Sequence, residues 1–121
     1  MLTLKSEHVR IIEYSSKINF FERVRAKLRE FDPTAAKTPE AELDAFIERH
    51  YQVAKQYDLI SEKQCMVWIF VTWVWGEDIV EKHSYIHALL DNHLADADAK
   101  AEGLWRWHIQ QDLLRKETLS L

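Results

Sequence analysis

The sequence predicts an all-α protein, a single compact bundle of about five helices around a central apolar helix at residues 62–75. Three observations carry this. Only Gly76, Gly103, Pro33 and Pro39 supply the usual turn residues, and sheet proteins need many more. Apolar residues recur at intervals of three and four along most of the chain, the spacing of one helix face. One segment is apolar on every side, and such a helix is normally central. A length of 121 residues points to one domain, residues 1–121. A chain of that size hides roughly two-thirds of its unfolded surface.

The first helix is expected from Ser6, a plausible N-cap, to Phe31. Val9, Ile12, Ile18, Phe21, Val24, Leu28 and Phe31 form its stripe. Asp32-Pro33 ends it, because the residue before proline is pushed out of the helical region. A loop is expected over 32–38. Thr38-Pro39-Glu40 then reads as N-cap, first-position proline and first-turn acid. The second helix runs to Tyr57 or Asp58, with Leu43, Phe46, Ile47, His50, Val53, Ala54 and Tyr57 on one face.

Ser61-Glu62-Lys63-Gln64 is a capping box that opens the third helix. Its continuation, CMVWIFVTWVWG at 65–76, holds seven apolar residues, Thr72, three more apolar residues and Gly76. Gly76 supplies the stop. A helix of this length spans about 18 Å, whereas a bilayer core needs roughly 20 residues. Glu62, Lys63, Glu77 and Asp78 flank the run, so it does not cross a membrane. A fourth helix is expected over 80–91, with Tyr85, Ile86, Leu89 and Leu90 apolar. The fifth is expected from Asp96 to Leu119. Asp96 and Asp98 favour its N-terminus, and Leu104, Trp105, Ile109, Leu113 and Leu114 form its apolar side.

The tryptophans point outward as well as inward. Trp73 and Trp75 are two apart, as are Trp105 and Trp107. Residues two apart do not share a helix face, so one ring of each pair is expected at the surface. Exposed tryptophan is a common anchor for a protein partner. Arg23, Arg25, Lys27 and Arg29 alternate along the first helix. Arg23–Lys27 and Arg25–Arg29 are like-charge pairs four apart, which slightly destabilise a helix. Glu22 and Glu30, the acidic later helices or an acidic partner would compensate. The candidate partner-binding residues are therefore Arg23, Lys27, Trp73, Trp75, Trp105 and Trp107.

No reaction is legible. His83 and His87 are four apart, with His93 and Asp91 nearby, but a zinc site needs three or four ligands and a second shell. These are read as surface histidines, and no metal or cofactor is expected. Cys65, the only cysteine, reads as buried and inert. Its solitude excludes an internal disulfide and suits a reducing compartment. The N-terminus lacks an apolar secretory segment, so a cytoplasmic location is expected. Residues 1–37 carry eight Lys/Arg against five Asp/Glu (+3), and residues 38–121 carry eight against fifteen (−7). That polarity orients a charged partner and is too weak for nucleic acid.

The chain resembles small helical proteins encoded in type VI secretion gene clusters, beside the spike and effector genes. The likeness covers residues 1–95. It rests on MLTL at the start, Phe20, Arg23, Leu28, Phe31 and Pro33, then Leu43, Ile47 and Ala54, and YDLISEKQCMVW at 57–68, with Gly76 and Asp78. Asp58 stands where that family has glycine. The resemblance implies a protein partner: a secreted effector, a toxin or a spike component. It implies an adaptor or chaperone that holds an effector, or alternatively a cytoplasmic immunity protein that neutralises a toxin. A small enzyme or metal sensor built on His83 and His87 is the third alternative.

Overall fold

The computed structural model describes the backbone of residues 2–120 and the side chains of residues 16–117. Among these residues the protein is all-α. Its seven helices are α1 (Leu2–Phe31), α2 (Pro33–Lys37), α3 (Glu40–Gln56), α4 (Glu62–Trp75), α5 (Ile79–Lys82), α6 (Ser84–Asp91) and α7 (Ala97–Ser120). The chain divides into two compact units, residues 1–48 and 49–121.

In the first unit, α1 begins at Leu2, so Ser6 lies inside it and does not cap it. The side chains of Val9 and Ile12 lie outside the described residues. The buried line is Phe20, Val24 and Leu28, each four apart. Ile18 and Phe31 are exposed, which corrects the expected stripe. The expected loop at 32–38 is largely α2. Asp32 caps it by accepting from the Thr34 N–H at 3.1 Å, and Pro33 takes the first helical position. Thr38 is no N-cap for α3. Its hydroxyl donates back to the Thr34 carbonyl at 2.7 Å, so it closes α2.

The cations of α1 find partners within this unit. Arg25 donates to both Asp44 oxygens at 2.6 and 2.8 Å and reaches Glu40 at 3.0 Å. The Asp44 hydrogen bond raises its already high pKa further. Arg29 donates to the Thr38 carbonyl at 3.2 Å, and Lys17 to Glu48 at 2.9 Å. Leu43, Phe46 and Ile47 are buried along α3, as its periodicity predicts.

The second unit holds the apolar segment. The capping box at the start of α4 is present in both directions between Ser61 and Gln64. Gln64, Cys65, Trp68, Ile69, Val71 and Thr72 are buried, and none of residues 64–76 is exposed. The helix stops at Gly76, whose φ of 110° would strain any other residue. Before α4, Asp58 adopts φ 65°, the left-handed conformation a glycine would take there.

α4 packs on α7, α5 on α6 and α6 on α7. Gly103 permits the last approach: a Cβ there would lie 2.8 Å from a Leu89 methyl. The predicted fourth helix is interrupted. His83 has extended backbone (φ −125°, ψ 104°) and separates α5 from α6. Its ring meets Trp107 edge-on at 4.9 Å. Packing at this point coincides with the break that helical spacing alone does not foresee. No helix among the described residues is long and apolar enough to cross a membrane.

Candidate functional site

The aromatic residues of the second unit gather where the C-terminal half of α4 meets α7. Trp75 donates its indole N–H to His108 Nδ1 at 2.8 Å. It meets Trp107 in a T-shaped contact at 5.4 Å, and the Arg115 guanidinium lies 5.1 Å from its ring. Phe70 contacts Trp105 at 5.7 Å and His108 at 5.3 Å. Trp105 in turn lies 5.1 Å from His108. An accepting Nδ1 requires that nitrogen to be unprotonated. Burial holds the His108 pKa below its ordinary value, with Arg115 and Lys116 adding to the effect and Asp112 opposing it.

The tryptophan pairs part as expected on α7. Trp107 is 7 % exposed and Trp105 is 41 % exposed. Trp107 is therefore a packing residue between Trp75 and His83, and the ring offered to solvent is that of Trp105. Trp73 and Trp75 are both half-buried. Arg23 and Lys27 lie on the exposed face of α1 in the first unit. Arg23 donates to the Asn19 carbonyl at 3.4 Å, and Lys27 sits 3.7 Å from Glu30.

The apolar side expected for α7 is corrected. Its covered face runs through Lys100, Ala101, Leu104 and Trp107, with His108 and Gln111 half-buried. Ile109 is 44 % exposed and Leu113 56 % exposed, and Leu114 is also exposed. Trp105, Ile109 and Leu113 are spaced four apart, so they form one line on the outer face. Glu102 and Arg106 flank it towards the N-terminus. Asp112 and Lys116 flank it towards the C-terminus, with Asp112 bound to Lys116 at 3.1 Å and Arg115 at 2.7 Å. These two cations hold the Asp112 carboxyl below its usual range. An apolar line with a charged rim is the ordinary make-up of a protein-binding patch.

Two buried polar residues, Lys100 and His50, support the unit. Lys100 is 1 % exposed and donates to the Tyr57 carbonyl at 3.1 Å, with Asp58 at 3.9 Å. A lysine in this place satisfies the Tyr57 carbonyl just past the end of α3. A lysine on a covered face is invisible to a reading that assigns charges to solvent. Glu77, turned back by Gly76, accepts from Arg49 and meets His50 Nε2 at 2.9 Å. Arg49 first and His50 second hold the Glu77 carboxyl below its usual range.

The remaining chemistry-bearing residues stand apart. Cys65 is buried, its sulfur 3.8 Å from the Leu59 carbonyl, and burial pushes the thiol pKa up. A raised pKa disfavours the nucleophilic thiolate. His83 does not share a helix with His87: it packs on Trp107, whereas His87 is exposed beside Asp91 at 3.4 Å. Among the described residues no group of three or more His, Cys, Asp or Glu is placed to hold a metal. Comparison with known proteins gives no match: no family model matches the chain, and neither a curated protein nor a solved structure matches it.

Proposed function

We propose that the chain works by binding another protein, with no reaction of its own, and that the outer face of α7 is its contact surface. One observation carries this reading: Trp105, Ile109 and Leu113 stand exposed in a single line on a helix whose other face is already covered. Tryptophan is over-represented among the residues that dominate binding energy. The ring of Trp105 is backed by Phe70 and His108, which limits the entropy lost when a partner seats on it. On the first unit, the exposed cations of α1, Arg23 and Lys27, are further candidate contacts.

The setting follows from the resemblance to proteins of type VI secretion clusters. In that setting the chain is an adaptor or chaperone that holds an effector before loading. Release of a client requires moderate affinity, which suits a short apolar line with a charged rim. The test is co-expression with a candidate secreted effector of such a cluster. The adaptor reading expects a change in the solubility or secretion of that protein, lost when Ile109 is replaced by glutamate. Rescue of a poisoned cell with no effect on secretion would replace it with the immunity reading. No effect of Ile109→Glu on a complex that forms would remove α7 from the contact.

A further inference from the structure

The line on α7 has a symmetry that says which protein fits it. Trp105 and Leu113 lie four residues before and after Ile109, about 6 Å to either side at 1.5 Å per residue. Glu102 and Lys116 lie seven residues before and after it, about 10.5 Å to either side, and their charges are opposite. Seven residues are two turns, so both sit close to the same line as the apolar three. The pattern is self-complementary when the helix is turned end for end about Ile109.

We infer that the occupant of this face is a second copy of the chain, with two α7 helices antiparallel about a two-fold axis at Ile109. Ile109 then meets Ile109 of the second copy. Trp105 meets Leu113 of the second copy, and Leu113 meets its Trp105. Glu102 faces Lys116 of the second copy at each end, so one axis generates two ion pairs. A parallel pairing would set Glu102 against Glu102 and Lys116 against Lys116, which costs free energy at both ends. The contact is isologous, so it closes at two copies and does not extend into a filament.

Within one chain, Glu102 is bound to Arg106 and Lys116 to Asp112. The Glu102–Arg106 pair is exposed and worth little; Lys116 is exposed, and the half-buried Asp112 keeps Arg115 at 2.7 Å when Lys116 turns towards a second copy. Because the apolar line is only three residues long, the dimer is weak, with Kd on the order of 10–100 µM. The inference rests on the reading of α7 as a contact face, and adds that a client using Trp105 competes with the second copy.

The experiment is sedimentation velocity on the full chain over two decades of concentration around that Kd. The wild-type mass is expected to rise from monomer to dimer and no further. Ile109→Glu is expected to weaken association by at least about tenfold, and Leu113→Glu, at a second exposed position, to do the same. Circular dichroism checks that each variant stays helical. Glu102→Lys and Lys116→Glu are each expected to weaken the dimer several-fold, and the double reversal to restore it. A chain that stays monomeric, a dimer indifferent to Ile109→Glu and Leu113→Glu, or a double reversal no better than the singles would overturn the inference. A monomer that still loses its client on Ile109→Glu would sink the second copy and leave the proposed function standing. A dimer broken by Ile109→Glu whose client binding persists would do the reverse.

Discussion

Replacing Gln64 by leucine removes three hydrogen bonds at nearly constant volume. Gln64 is buried in the first turn of α4. Its carbonyl accepts from the Ile60 N–H at 2.8 Å and the Ser61 N–H at 2.9 Å, and its amide donates to Asp98 at 2.7 Å. The first two cap α4, and the third ties its start to the first turns of α7. A neutral hydrogen bond contributes about 1 kcal/mol and one to a charged group about 1.5–3 kcal/mol. Ile60 and Ser61 are exposed, so water replaces part of the lost acceptor, and the net loss is expected at about 2–3 kcal/mol. Gln64→Glu separates the two ends of the side chain. It keeps both cap acceptors but faces the Asp98 carboxylate. Two carboxylates at this distance share a proton, so their folded pKa rises above the unfolded value. The deficit of that variant must therefore shrink as pH falls from about 7 to about 4.5. Urea titration of both variants beside the wild type measures this. A Gln64→Leu loss under about 0.5 kcal/mol, or a Gln64→Glu deficit independent of pH, would refute the reasoning.

Three further outcomes are expected. The Thr72 hydroxyl is buried and has no hydrogen-bond partner among the described residues, so Thr72→Val is expected to be neutral or stabilising by up to about 1 kcal/mol, read as a melting temperature no lower than wild type. Asp58→Gly relieves a left-handed φ at the cost of a 3.9 Å contact to Lys100; a gain of about 0.5–1 kcal/mol in chemical denaturation is expected, and a loss would show that the Lys100 contact dominates. Burial lowers the His108 pKa, so between the folded and unfolded values the unfolded chain binds the proton that the folded chain refuses. Stability from this group is present above about pH 6.5 and falls as pH drops towards the folded pKa; His108→Gln should remove that part of the pH dependence while keeping an acceptor for Trp75.

Much of the architecture was legible because local chemistry and tertiary packing agree. Ser61 and Gln64 form the box their spacing predicts, and the apolar run of α4 from Cys65 to Trp75 holds no exposed residue. The misses on α7 share one cause. On α7 apolar residues lie on opposite faces, so a count of apolar positions mixes Leu104, which is buried, with Ile109 and Leu113, which are exposed. The signal that separates them is the small and amphipathic set Lys100, Ala101, Leu104 and Trp107, at three- and four-residue intervals. Lys100 hides that set, because a lysine is assigned to solvent unless its carbonyl partner is known. Phe20 was hidden in a similar way, since Phe20-Phe21 offers two choices and only the four-residue spacing to Val24 and Leu28 selects the first. Asp32-Pro33 was read as an ending when it is also a beginning: a cap and a first-position proline for α2. The candidate face itself was half legible, with Trp105 singled out by its offset from Trp107 and its companions assigned to the interior.

Oxidative side-chain footprinting of the chain with and without a protein partner captured by pull-down from its source cell tests the central claim most directly. Trp105, Ile109 and Leu113 should label readily alone and become protected in the complex, while buried Trp68 stays unlabelled in both. A complex in which those three residues label as fast as in the free chain would contradict the account.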